Sequence, residues 1–363
     1  MADWSQRFKA SYRVMRVSRE TGDEVSKVAG ILDGGEIDRN QDTATFESGS
    51  LDYAGGFDVG TDLVRVYLEA EFPDGSRATE ALGTFLAQAP ESSVDGSLSR
   101  GSVVLYGRLK ELADDDFDHP YQVGAGSNAV QAAARICKES GLEVVAEPSD
   151  FKLASTWTFG TGAYTEDDPD DKLAAVNALL AAAGFSSAQT DPYGRVLMRR
   201  YVEPSSRPVA MRFAEGATAR FLSAASRSFD KSSVANVVHA DFSSQDGTVR
   251  GTAVDDDPKS PFSVQAAGRR IAKRYEYSGL PDGADAKAMQ AAADAKAREL
   301  LDTERSAIDR VTFDHVYAPV RVGDAVEMDY PSAGIGRKLA VRTQRLTLGA
   351  GCLVRCEARA FER

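Results

Sequence analysis

Residues 82–93 read LGTFLAQAPESS and residues 102–141 read SVVLYGRLKELADDDFDHPYQVGAGSNAVQAAARICKESG. Two strand-like runs, LGTF with apolar followers and then VVLYGRL, lead into KELADDD. An extended Pro-Tyr-Gln-Val segment and a Gly-Ala-Gly-Ser-Asn turn come next and open a helix. The stretch therefore marks where β-rich sequence hands over to a mixed segment. Before it, Val64, Val66, Leu68 and Ala70 alternate with Arg65, Tyr67 and Glu69, the period of a strand with one buried face. Pro73-Asp74-Gly75-Ser76 supplies turn chemistry and a return strand. Residues 8–110 thus read as an antiparallel barrel or sandwich.

After Leu112 the character changes. Ala129, Val130, Ala133, Ile136 and Cys137 form one stripe of a helix from about 127 to 140, capped by Ser127 or Asn128 and stopped by Gly141. A second helix is expected to start at Asp168-Pro169, with Asp as N-cap, Pro at the first helical position, and Asp170 and Asp171 favouring the helix dipole. Leu173, Val176, Leu180 and Ala183 are its core face and Gly184 its end. The hairpin FSSAQ-TDPYG-RVLMRRY follows, its turn carried by Asp191, Pro192 and Gly194. Strand signals return in VAMRF and ANVVHADF, then pause for an Ala-rich helix near 285–302. They resume in TFDHVYAP, VRVGDAVEMDY, KLAVRTQRLTL and CLVRCEARAF.

This order resembles the hub proteins at the tip of phage tails, including the N-terminal hub portion of tail-associated lysins. WTFGTGAYTEDDPDDKLAAVNALLAAAGFSSAQTDPYGRVLMRRY looks like that family's second domain. SSVANVVHADF looks like its "PN-x-V-x-V" strand, although Ala235 stands where the pattern has Pro. AVDDDPKSPFSVQAAGRR resembles its "DPxSPxS…G" linker, and YAPVRVGDAVEMDY its "P…VGD-x-V" strand. The resemblance implies an α+β, mainly β chain with two barrel-like antiparallel domains, each interrupted by an insert. The expected division is 1–113 with 205–230 as the first barrel-like domain, 114–204 as an α+β insert, 231–253 with 311–363 as the second barrel-like domain, and 254–310 as a small helix-containing insert. Strands at 8–110 are then expected to pair with 205–230, and those at 231–253 with 311–363. Also implied is a structural virion protein, a homotrimer whose duplicated domains make a ring of six. It would dock on hexameric distal tail or tube proteins, meet the tape-measure protein and receptor-binding proteins or fibres, and gate the DNA channel during ejection.

Composition bounds the alternatives. The 363 residues are 42% hydrophobic and 27% charged, an ordinary globular mixture. The start, MADWSQRFKASYRV, lacks a signal-peptide pattern, so synthesis in the bacterial host cytoplasm is expected. A net charge of −12 disfavours specific nucleic-acid binding, which needs Lys and Arg gathered on one face. Mild repulsion suits a conduit through which DNA slides. Three cysteines form no disulfide framework. Cys352 and Cys356, four apart on one expected strand, would lie about 13 Å apart, beyond disulfide reach.

No motif carries catalysis. Gly124-Ala125-Gly126-Ser127-Asn128-Ala129 fits a dinucleotide fingerprint, but the polar DDDFDHPYQV before it is no buried parallel strand. The acidic runs at 114–118, 166–171 and 255–257 lack the spaced pattern of a calcium loop. His119, His239 and His315 are not joined by zinc-ligand spacing. Asp314-His315 has no nucleophile elbow to serve, and Cys137 sits on an apolar stripe. We expect no catalytic, cofactor-binding or metal residues and no cofactor. The rival readings are a tail-associated cell-wall hydrolase and a receptor- or carbohydrate-binding tail protein. The first is disfavoured by the chain's end at Arg363, directly after its last strand, and the second by Trp4 and Trp157 standing far apart.

Overall fold

The computed structural model describes residues 3–4, 6–95, 98–161, 171–229, 234–244, 247–258, 260, 262–278, 286–306 and 309–360. The first segment supplies β1 (Lys9–Val17), β2 (Glu24–Lys27), β3 (Glu36–Asn40), β4 (Glu47–Ala54), β5 (Leu63–Glu71), β6 (Arg77–Asp95) and β7 (Leu98–Gly107). Next come α1 (Lys110–Ala113), β8 (Tyr121–Val123), α2 (Ala129–Glu139), β9 (Val144–Ala146), β10 (Trp157–Phe159), α3 (Lys172–Ala182), β11 (Gln189–Thr190) and β12 (Val196–Met198). The chain continues as β13 (Val209–Ala214), β14 (Phe221–Phe229), β15 (Val237–Ser244), β16 (Gly247–Val254), α4 (Val264–Ala267), β17 (Ala272–Ser278) and α5 (Ala286–Ser306). It closes with β18 (Asp309–Val316), β19 (Ala325–Tyr330), β20 (Ile335–Thr347) and β21 (Leu353–Ala360).

The mainly β expectation holds, but no sheet closes into a barrel. One 13-stranded sheet runs β14-β18-β21-β20-β3-β4-β7-β6-β5-β1-β2, with β19 beside β20 and β13 beside β19. Two β units share it: β1–β7, and β13, β14 with β18–β21. They join where β20 pairs antiparallel with β3, Thr343 opposite Asn40 through Thr347 opposite Glu36. The second unit curls until Phe221 meets the Tyr330 ring at 5.0 Å and the Tyr330 hydroxyl donates to Ser223 O at 2.9 Å. Yet among the described residues β13 pairs only with β19, and β14 only with β18.

Register corrects the pairing expected from sequence. Residues 209–229 pair with 309–330, not with 8–110. β15 pairs with β16 and β17, not with 311–363. Alternating apolar residues specify which face a strand buries and say little about which strand lies next to it. Turns made β19–β20–β21 a local meander, and the long β20 then carried that meander across to β3.

In the segment after β7 the first helix and the hairpin stand where they are expected. Asn128 caps α2, accepting from Gln131 N at 3.0 Å, and Gly141 beyond its end has φ +78°. The second helix starts later than expected: Asp171 caps α3, accepting from Ala174 N at 2.7 Å. Asp168, Pro169 and Asp170 lie outside the described residues, as does Asp285, the expected start of α5. The hairpin is present as β11–β12, with Asp191 Oδ1 accepting from the Tyr193 and Arg195 amides. β12 also pairs with β9, in parallel.

β5 departs from a one-faced strand. Val64, Val66 and Leu68 are buried as expected, but Arg65 and Tyr67 are each only 8% exposed. Glu24 of β2 lies over both, bonded to Arg65 and to the Tyr67 hydroxyl, and Arg65 also stacks on Tyr193 from the insert.

A buried polar junction and a salt-bridged groove

Glu47 opens β4 and its carboxylate is enclosed, with 4% of the residue exposed. Arg39 of β3, 6% exposed, donates to it through Nε at 3.1 Å. Thr190 of the insert hairpin donates to the other oxygen at 2.7 Å. Burial pushes the Glu47 carboxyl above the usual carboxylate range, against the opposing pull of Arg39 and Thr190. Arg39 also donates to Leu82 O. One strand further, Thr84 accepts from Arg65 Nε and donates to Pro192 O, both at 2.8 Å. Gly194, at φ +81°, sits where a Cβ would come within 2.7 Å of the Arg108 side chain. The Asp-Pro-Tyr-Gly turn is therefore keyed into the first β unit by hydrogen bonds and close fit. Its polar groups find partners inside the protein rather than in solvent.

The opposite face of the seam is polar and open. Arg345 Nε meets Asp38 at 2.6 Å and Glu36 at 3.6 Å. Arg359 meets Asp42 at 2.8 Å and Glu357 at 3.8 Å, and Arg342 also bonds Asp42. A groove of about 590 Å³ lies here, lined among others by Asp38, Asn40, Thr343, Arg345, Arg355 and Glu357. Its cations are largely neutralised by neighbouring acids.

The candidates weighed from sequence are dispersed. Gly124 to Ala129 form a turn into a capped helix, and the strand before them, β8, pairs antiparallel with β10 alone. His119 is exposed in a loop and His239 contacts Thr252 Oγ1 at 3.0 Å. His315 is fully buried, its ring 4.8 Å from that of Phe213, with Nδ1 2.8 Å from Val316 O. All three cysteines are buried and free. Burial pushes the Cys137 thiol up to about 12 and Cys352 to about 11, far from a reactive thiolate. Cys352 is not in a strand as expected: it occupies the turn before β21 at φ +46°, and it packs in a different core from Cys356. Asp255 is buried and accepts from Ser260 Oγ at 2.6 Å, while Asp114 and Asp115 pair with Lys110 and Lys172. Part of the run at 166–171 lies outside the described residues. Among the described residues no group of three His, Cys, Asp or Glu could hold a metal ion, and no helix is long and apolar enough to cross a membrane.

Sequence reading missed Arg39, Glu47, Thr84 and Thr190. Each is a polar residue in or beside a strand, and only the packing of a distant hairpin over them reveals that they are enclosed.

No family model and no curated protein matches the chain. Solved structures do. A tail protein from Neisseria meningitidis MC58 is 14% identical, with 96% of each chain covered and a TM-score of 0.68. The 43 kDa tail protein of prophage MuSo2 from Shewanella oneidensis is 12% identical, covering 96% of this chain and 97% of its own, with a TM-score of 0.64. An E. coli type VI secretion component, described as structurally similar to the T4 tail proteins gp27 and gp5, is 11% identical. It covers 92% of this chain and 74% of its own, with a TM-score of 0.51. The chain thus has the fold of phage tail proteins and of a related secretion component, and its resemblance to the tail-hub family holds at the level of fold.

Proposed function

We propose that this chain is a structural virion protein, the homotrimeric hub at the distal tip of a phage tail. The observation that carries the reading is the end-to-end match with tail proteins, 96% of this chain against 96% and 97% of theirs. Two β units on one backbone support it further. Three such chains offer six β units, which fits a threefold object to a sixfold one without six identical chains. The hexameric partners are the distal tail or tube proteins, with the tape-measure protein above and receptor-binding proteins or fibres beside. The hub opens to let DNA leave. The segment 114–204 and the helical segment that ends in α5 are separate folding units carried by this body. No residue performs catalysis.

The deciding experiment is native mass measurement with electron-micrograph classification of the purified protein. A threefold mass and ring-shaped particles with pseudo-sixfold symmetry are expected. A monomer that persists at millimolar concentration, or wall-degrading activity lost with one Asp, Glu, His or Cys, would overturn the reading.

A further inference from the structure

The 13-stranded sheet has β2 at one end of its path and β14 at the other. An unpaired strand edge presents a row of unsatisfied amides and carbonyls and is a template for another strand. Among the described residues both edges are exposed, although Ser223 O on β14 already accepts from the Tyr330 hydroxyl. All four residues of β2 are exposed, Val25 at 57%. On β14, Leu222, Ser223, Ala224, Ser226, Arg227 and Ser228 are exposed, Leu222 at 44%. Leu222 to Ala224 also fall in the irregularity where β14 leaves its register with β18.

The two edges carry opposite charge. The stretch from Arg220 through β14 holds Arg220 and Arg227 and no acid, whereas at 20–27 Glu20 and Asp23 stand against Lys27, Glu24 being already paired with Arg13 and Arg65. A closed ring with a threefold axis needs a head-to-tail contact, in which two different surfaces of one chain meet. Two ends of a single sheet, unlike in charge and alike in exposure, meet that requirement.

We propose that β2 of one copy adds antiparallel to the free edge of β14 in the next, with Val25 opposite Ala225. That register sets Asp23 against Arg227 and Lys27 against Ser223, so an acid meets an arginine across the joint. The occupant is a second copy of this chain, and the proposal rests on the trimeric reading above.

The test uses the full chain with Val25→Cys and Ala225→Cys made singly, then mixed under mild oxidation, with mass measured in parallel. Opposed strand residues lie close enough for a disulfide, and the three native cysteines are buried. A covalent link in the mixture, and in neither single variant alone, is the expected result. A trimer by mass that gives no link overturns the edge contact and leaves the hub reading standing. Linking within the Val25→Cys sample alone means a twofold contact and overturns the edge contact as well. A monomer at every concentration overturns both readings. As an independent check, Asp23→Arg and Arg227→Asp should each weaken assembly at least tenfold, and the two together should recover most of the loss. No recovery in the double variant counts against the stated register.

Discussion

His315 is held as a neutral ring inside the second β unit. Phe213 and Phe313 flank it at 4.8 and 5.7 Å, and Nε2 has no hydrogen-bond partner among the described residues. Burial lowers its pKa from the ordinary 6.5 to about 4. The unfolded chain therefore binds the proton first as acid is added. Stability is present in full above about pH 6.5 and is lost as pH falls toward 4, on the order of 3 kcal/mol in all. His315→Phe should remove this part of the acid sensitivity, seen as a flatter melting temperature between pH 7 and 4 than in the native chain. An unchanged difference across that range would count against it. Glu47 makes a second case. Glu47→Ala leaves Arg39 enclosed with its anion gone, at a cost of about 3 kcal/mol, and denaturant titration should record it. Neither residue was legible beforehand. His315 was one histidine in a strand pattern, and Glu47 one acid among many, because burial of a polar residue depends on what the tertiary fold lays over it.

At the scale of elements, local chemistry was readable and pairing was not. The α2 cap, the Gly141 and Gly184 stops and the Asp-Pro-Tyr-Gly turn all depend on residues within one or two turns of chain, and they stand where sequence put them. The joint between the two β units depends on residues 307 positions apart, as Asp38 beside Arg345 illustrates. The α5 helix adds a close approach that no pattern announced. A Cβ at Gly251 of β16 would fall 1.9 Å from Ala293 O, on the helix backbone. Asp294 and Gln290 fasten the same place, bonding Thr252 N at 3.0 Å and Arg250 O at 2.9 Å. Ala293, Ala297 and Leu301 are the buried stripe, so the small residues serve packing against the sheet. Gly251→Val should push α5 off β16, with a loss of about 1–3 kcal/mol. Hydrogen exchange should report it as faster exchange across 286–301, with β1–β7 unaffected. Equal loosening of both regions would mean that the helical unit is not a separate module.

For the whole molecule, the property that bears on the proposed hub is a charged surface whose seam arginines are paired with acids. Each copy carries a net charge of −12, yet the seam face is rich in arginine. Affinity for phosphate comes from cations that shed counterions on contact. Arg345, Arg342 and Arg359 are already paired with Asp38, Asp42, Glu36 or Glu357, so a passing duplex gains little from them. If this face borders the channel of the proposed hub, those acids are what keep ejection from stalling. Asp38→Asn with Asp42→Asn should then release Arg342 and leave Arg345 and Arg359 only their longer contacts to Glu36 and Glu357. The doubly substituted protein is expected to bind duplex DNA at about 0.15 M salt, with log affinity falling by roughly 0.9 per freed arginine contact as log salt rises. Asp256→Asn with Asp257→Asn removes the same formal charge from a distant exposed loop and should leave binding near zero. Equal gains in the two variants would reduce the effect to net charge, and an assembled ring whose axis is lined mainly by unpaired Arg and Lys would exclude the sliding surface outright.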